Sequence, residues 1–253
     1  MLVSLSVYTR MVIFGFLYCC IALPVFSVVV IFSGFRRRKF GPFLRQLIVW
    51  YGIVIVRLCL RPHIRATYRD KTGGEPAVEN CIMVLNHRSG SDPFLIAYVP
   101  WGKSPVLAIN GWPMRLPFFG FFARNAEYID VTRLPYEETK AMTLKHLEKG
   151  APVVVFPEGT RSGNKEMNQF HGTFFRIARE AGVPIVPVAV AGNEKVPDRK
   201  FRMHSGHILI HRLPSIPGDE VSSTALFPLK ERVRNLLIAE TGEMDKELED
   251  ERK

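Results

Sequence analysis

The chain has 253 residues, enough for one α/β domain of ordinary size plus an anchor but not for a second independent domain. Its net charge of +10 resembles a nucleic-acid signal, yet the first acidic residue is Asp70. Ten of the 34 basic residues precede it, so the rest match the 24 acidic ones and all the excess charge lies in an apolar N-terminal third. That arrangement argues against nucleic acid as a partner and suits the anionic head groups of membrane lipid.

No residue from 11 to 35 is charged. As a helix this run is ~37 Å long, against a hydrocarbon core of ~30 Å, and so it predicts a membrane helix. A cleaved signal peptide would have a shorter apolar core and a small-residue cleavage site. Here the run ends in Arg36-Arg37-Arg38-Lys39, which predicts that the downstream chain stays on the cytoplasmic face of the inner membrane. Pro24 admits a kinked or re-entrant path. Residues 43–60 carry Arg45 and Arg57 among apolar neighbours and are expected to lie in the interface, their arginines snorkelling toward phosphates. One spanning helix and a two-helix anchor confined to one leaflet both fit this pattern. The four cysteines have no zinc or disulfide spacing and read as buried apolar residues in a reducing compartment.

Residues 71–79, with Gly73, Gly74 and Pro76, form a linker, after which apolar runs alternate with helical patterns. Strands are predicted at 81–85, 153–156, 185–191 and 206–213, and helices at 136–149, 173–181 and 225–241. The organisation predicted is an anchor over 1–69, an α/β domain over 70–242 and a charged, frayed tail over 243–253. The domain is expected to be a mostly parallel sheet flanked by helices, with its site at the carboxyl ends of strands.

Two polar stretches begin where a predicted strand ends. The first is Asn86-His87-Arg88-Ser89-Gly90-Ser91-Asp92. Asp92 before Pro93 also makes a good helix start, but a short loop would bring its carboxylate to one ring nitrogen of His87 and leave the other as a base. The second is Phe156-Pro157-Glu158-Gly159-Thr160-Arg161-Ser162. Gly159 permits close backbone approach, Thr160 offers a hydroxyl and Arg161 a planar fork for phosphate, while Glu158 either holds Arg161 or bonds a substrate hydroxyl.

The spacing of His87 and Asp92, followed by Phe156–Arg161, resembles the glycerolipid acyltransferase family that includes 1-acylglycerol-3-phosphate acyltransferases. Pro117-Phe118-Phe119-Gly120 with Arg133, and Val183-Pro184-Ile185-Val186-Pro187-Val188, resemble two further motifs of that family. The resemblance covers roughly residues 80–215. It implies that His87 is the general base and Asp92 its orienting partner. It implies too that Glu158, Gly159, Thr160, Arg161 and Arg133 bind the acyl acceptor, with the Pro184–Pro187 segment shaping the site near the acyl chain. The implied reaction moves a fatty acyl chain from an acyl thioester, acyl-CoA or acyl carrier protein, to the free hydroxyl of a lysophospholipid, above all 1-acylglycerol 3-phosphate, giving phosphatidic acid. No metal or other cofactor is expected. Asn110-Gly111 stands where many members carry lysines, and Phe170-His171-Gly172-Thr173 where Phe-Lys-x-Gly is usual. Fewer cations there would suit a less charged lysolipid.

Two rivals differ in kind. Ser89 or Ser91 as a nucleophile would make an esterase or a ping-pong enzyme, although the nucleophile-elbow pattern is lacking. A non-catalytic lipid tether would need neither His87 nor Asp92.

Overall fold

The computed structural model describes residues 1–76 and 79–251, and the side chains of all of these except Arg37, Arg38, Pro117 and Phe118. Two positions of the expected linker, 77 and 78, therefore lie outside the described residues, as do 252 and 253 of the expected tail.

The chain opens with α1 (Leu2–Phe32) and α2 (Arg37–Val54), the latter finishing in a π-helical turn at Ile55–Cys59. Then come β1 (Ile64–Asp70), β2 (Ile82–Leu85), α3 (Asp92–Leu95), β3 (Val106–Ile109), α4 (Gly111–Met114), α5 (Pro117–Asn125) and β4 (Ile129–Asp130). The second half holds α6 (Tyr136–Leu147), β5 (Val153–Val155), α7 (Thr173–Ala181), β6 (Ile185–Ala191), β7 (Gly206–Arg212), α8 (Gly218–Ser223) and α9 (Leu226–Asp250).

The strands form one sheet in the order β1-β7-β6-β2-β5-β3-β4. Every neighbouring pair is parallel except β6 with β7, where Val188 faces Arg212 and Ala191 faces Leu209. Every residue of β2, β5 and β6 is buried. Alternate side chains point to opposite faces, so these central strands are covered on both, which is why they read as continuous apolar runs. Parallel alignment brings the carboxyl ends of β6, β2, β5, β3 and β4 to one edge.

The two N-terminal helices lie along the domain. Arg45 of α2 donates to the Ala126 carbonyl at 3.0 Å, Gln46 accepts from the Ser104 hydroxyl at 2.6 Å, and Gly52 rests on Ala97 and Phe94. α1 runs back over α2, with the Tyr18 hydroxyl on the Leu47 carbonyl at 2.6 Å and Phe26 edge-on to Phe40. Its first turns dock on the domain as well: the Tyr8 hydroxyl donates to the Phe201 carbonyl at 2.6 Å and Arg10 to the Arg61 carbonyl at 2.7 Å. The outer face of α1 exposes Leu5, Val12, Phe16, Ile21 and Val28, and Trp112, Leu116 and Phe121 are exposed on α4 and α5 and the turn between them.

Several expectations change here. Arg45 is only 3% exposed and does not snorkel, because the face of α2 that carries it packs on the domain. Cys59 and Cys81 are buried as expected, whereas Cys19 and Cys20 are exposed on α1. β1 begins at Ile64, so the sheet takes in residues placed with the anchor; its whole length pairs with β7, from Ile64 with Gly206 to Asp70 with Arg212. Residues 243–250, expected to fray, are helical. α9 continues to Asp250, with Thr241, Met244, Asp245 and Leu248 buried at helical spacing.

Candidate active site

His87 leaves the carboxyl end of β2, and Asp92 begins α3 five residues later. The His87 Nδ1 lies 2.7 Å from the Asp92 Oδ2. That oxygen also accepts the Ser89 N–H at 2.9 Å, and Oδ1 accepts the side-chain amide of Asn193. With the Ser89 N–H and the Asn193 amide already donating to it, the fully buried carboxylate acts as an acceptor toward the ring as well, a geometry that suits a hydrogen on Nδ1 and a lone pair on Nε2. No described residue bonds Nε2. The ring sits against Phe156, centroids 4.7 Å apart, with the side chain 19% exposed. A histidine oriented from behind, open at its far nitrogen and backed by an aromatic ring can take a proton from an alcohol that reaches that nitrogen.

The loop after β5 is sewn to the loop after β2. Ser162 N–H donates to the His87 carbonyl at 2.8 Å, and Gly163 N–H to the Arg88 carbonyl at 3.1 Å. Glu158 completes the seam, one oxygen accepting the His87 N–H at 2.6 Å and the other the Asn168 N–H at 2.9 Å. Both its oxygens are thus committed to the backbone, and it neither pairs with Arg161 nor faces outward as a substrate ligand would. Burial pushes its carboxyl above the ordinary range, against the pull of the two N–H donors. Gly159 has φ +72°, and a side chain there would meet the His171 ring at 3.0 Å, so the turn requires glycine. Thr160 is exposed. The half-buried Arg161 lies over Gly90, its guanidinium 5.6 Å from the Phe201 ring centre.

Arg133 follows β4 at the same sheet edge, but its side chain is 59% exposed and held only by Asp130 at 3.9 Å. Among the described residues no bond joins it to His87 or Arg161. The β3 exit lies between: Asn110 donates to the Gly159 carbonyl, and Gly111 N–H to the Thr132 hydroxyl at 3.0 Å. The Pro117–Gly120 stretch opens α5, where a Cβ at Gly120 would collide with the Met114 carbonyl oxygen, so only glycine permits the approach. Val183–Val188 supplies the start of β6 rather than a wall of the site. The Ser89 hydroxyl is buried and donates to the Val196 carbonyl at 2.8 Å, and Ser91 is buried too. Neither serine is aimed at the open nitrogen of His87.

Two participants escaped sequence reasoning. Asn193 follows the end of β6, and the strand-end rule that found His87 would have found it. Arg88, inside the first motif, makes a two-pronged bond to Asp245 of α9 at 2.9 and 2.8 Å, a partner invisible to any local pattern. Among the described residues no group of three His, Cys, Asp or Glu side chains is placed to hold a metal ion.

Residues 69–191 match the family model described as Acyltransferase. The 1-acyl-sn-glycerol-3-phosphate acyltransferase of Escherichia coli is 25% identical over 92% of this chain and 96% of its own length. The lyso-ornithine lipid O-acyltransferase of Pseudomonas aeruginosa is 27% identical over 62% of this chain and 58% of its own. The crystal structure of the 1-acyl-sn-glycerophosphate acyltransferase PlsC from Thermotoga maritima superposes with a TM-score of 0.70 over 96% of this chain and 95% of that one, at 19% identity. Residues 69–191 are therefore an acyltransferase domain, and the chain is similar over most of its length to a 1-acyl-sn-glycerol-3-phosphate acyltransferase.

Proposed function

We propose that this enzyme transfers a fatty acyl chain from an acyl thioester, acyl-CoA or acyl carrier protein, to the free hydroxyl of 1-acylglycerol 3-phosphate, giving phosphatidic acid at a membrane surface. The observation that carries this reading is the open Nε2 of His87, oriented by Asp92, on a loop bonded along its backbone to the one that bears Arg161. Arg161 binds the acceptor's phosphate and holds its hydroxyl toward the thioester carbonyl. His87 Nε2 takes the hydroxyl proton as the oxygen attacks, and Asp92 stabilises the imidazolium. The tetrahedral intermediate then expels the thiolate, which recovers the proton from His87, leaving ester and thiol. Glu158 acts as a positioning residue between the loops, Gly159 and Thr160 line the approach, and Arg133 adds a cation at the rim.

The exposed apolar faces of α1, α4 and α5 support a seat in the bilayer. Because α2 packs on the domain and α1 runs back over α2 with its first turns docked on the domain, the reading that fits is a two-helix anchor in one leaflet, on the cytoplasmic side where thioester donors are. A lysolipid without phosphate is the second reading, favoured by Asn110 at an exit that carries no cation.

The test is a transfer assay on vesicle-bound protein, offering both thioesters against a panel of lysolipids. His87→Ala should lower turnover at least ~100-fold, with binding of the lysolipid retained. Full activity in that variant, or no transfer by the wild type to any lysolipid, would sink the proposal.

A further inference from the structure

The segment between β6 and β7 touches both catalytic loops and the N-terminal helix. Ser89 of the first motif donates to the Val196 and Pro197 carbonyls at 2.8 and 3.2 Å. Arg199 donates to the Ser162 carbonyl of the loop after β5 at 2.5 Å. On its far side the segment is held by α1: besides the Tyr8 bond to Phe201, Met203 N–H donates to the Ser4 hydroxyl at 2.9 Å. It thus runs from the catalytic loop to the helix that faces lipid.

Its charge is unbalanced. Residues 194–204 hold Lys195, Arg199, Lys200 and Arg202 against Glu194 and Asp198. Asp198 is consumed within its own turn, accepting the Lys200 and Arg202 N–H groups at 2.8 and 2.9 Å and the side chains of Arg202 and His204 at 3.0 and 3.1 Å. These donors, the Arg202 N–H foremost, hold its carboxyl well below the usual range. Glu194 lies 4.0 Å from Arg88. Among the described residues no carboxylate pairs with Arg161, Arg199 or Lys200.

Two uncompensated guanidinium groups therefore border the catalytic loops. Each lies against a glycine: a Cβ at Gly90 would stand 3.0 Å from the Arg161 Nη1, and one at Gly163 would stand 2.6 Å from the Arg199 Nε. Phe201 is 64% exposed and holds a left-handed φ of +58°, a conformation that strains a non-glycine residue. Its ring takes the Arg161 guanidinium, and its backbone is tied to the first turns of α1. An aromatic ring strained into the open between a phosphate-binding arginine and a lipid-facing helix is positioned to meet both.

We propose that residues 194–204 are the second half of the acceptor's head-group site, in which Arg199 joins Arg161 on a single phosphate monoester and Phe201 forms the wall on the lipid side. This rests on the proposed acceptor class, a lysolipid with a phosphate head group. It places the missing positive charge, absent from the β3 exit, on the β6–β7 connection.

Binding separates the two proposals, because it can be read without turnover. The full chain in neutral-detergent micelles is titrated with 1-acylglycerol 3-phosphate and with uncharged 1-acylglycerol, as wild type, Arg199→Gln and Arg199→Lys. The phosphate-bearing lipid should bind the wild type more tightly than the uncharged one. Arg199→Gln should weaken it about ten- to a hundredfold, leaving the uncharged lipid within about twofold, and Arg199→Lys should fall between. Equal affinity of wild type and Arg199→Gln for the phosphate lipid overturns the inference. So does an equal loss for both lipids, which would make Arg199 a strut for Ser162, and so does a wild type that ignores the phosphate. A normal binding pattern in a protein that transfers no acyl chain would overturn the proposed reaction and leave this site standing.

Discussion

Asn193 has no solvent exposure, its side-chain NH2 donates to Asp92, and its side-chain oxygen has no hydrogen-bond partner among the described residues. A buried amide left half-satisfied costs stability, and its retention beside the catalytic pair fits a task there. That task is to occupy the second carboxylate oxygen, so that Asp92 can turn only one way and His87 with it. Asn193→Ala should therefore lower the turnover number about ten- to a hundredfold while changing either substrate's KM by no more than about twofold, measured in the vesicle assay. A raised KM with unchanged turnover would instead assign the amide to binding. That His87, Asp92, Glu158 and Arg161 lie where strands end was legible in the sequence, because each pattern is local. Asn193, which also lies just past a strand end, was overlooked because its partner Asp92 lies 101 residues away along the chain and only the sheet brings them together. Glu158 was legible as a site residue but not in its bonds: two N–H groups that no pattern reveals hold it.

At the level of elements, α9 carries more than its composition implied. Asp245 meets Arg88 behind the catalytic histidine, and Glu247 makes a two-pronged bond to Arg69 of β1 at 2.7 and 2.5 Å. Ending the chain after residue 242 strips both arginines of their partners and uncovers the core that Met244 and Leu248 close. Breaking a buried ion pair on one side costs about 3–5 kcal/mol, so the truncated protein should show a clearly lower urea midpoint and at least tenfold less activity. If midpoint and activity are both unchanged, this end of α9 is dispensable. The central strands and α7 were legible because their apolar runs are bounded by glycine, proline or polar turns, and 173–181 and 185–191 coincide with the observed elements. β3 and β4 are four and two residues long, too short for a period to register. α5 is dominated by phenylalanines that hide any polar face. β1 was masked by basic neighbours that it shares with the anchor, and the end of α9 by charges on its solvent side.

Over the whole molecule, the feature with the widest consequence is that α1 is fastened to the domain at its first turns and along α2. With α1 seated in lipid as proposed, the candidate edge would be kept at the plane in which the helix rests, and the enzyme would work in two dimensions. Encounter with the proposed acceptor would then be governed by how crowded that acceptor is among its lipid neighbours. Thinning the lysolipid with neutral detergent, at constant total amount in the tube, should slow the reaction in proportion, while adding more of the same mixture should leave the saturated rate alone. A rate that follows only the total amount would mean that the acceptor arrives from water. The proposed product, which carries a second chain, would slide off sideways into the sheet of lipid it has just enlarged.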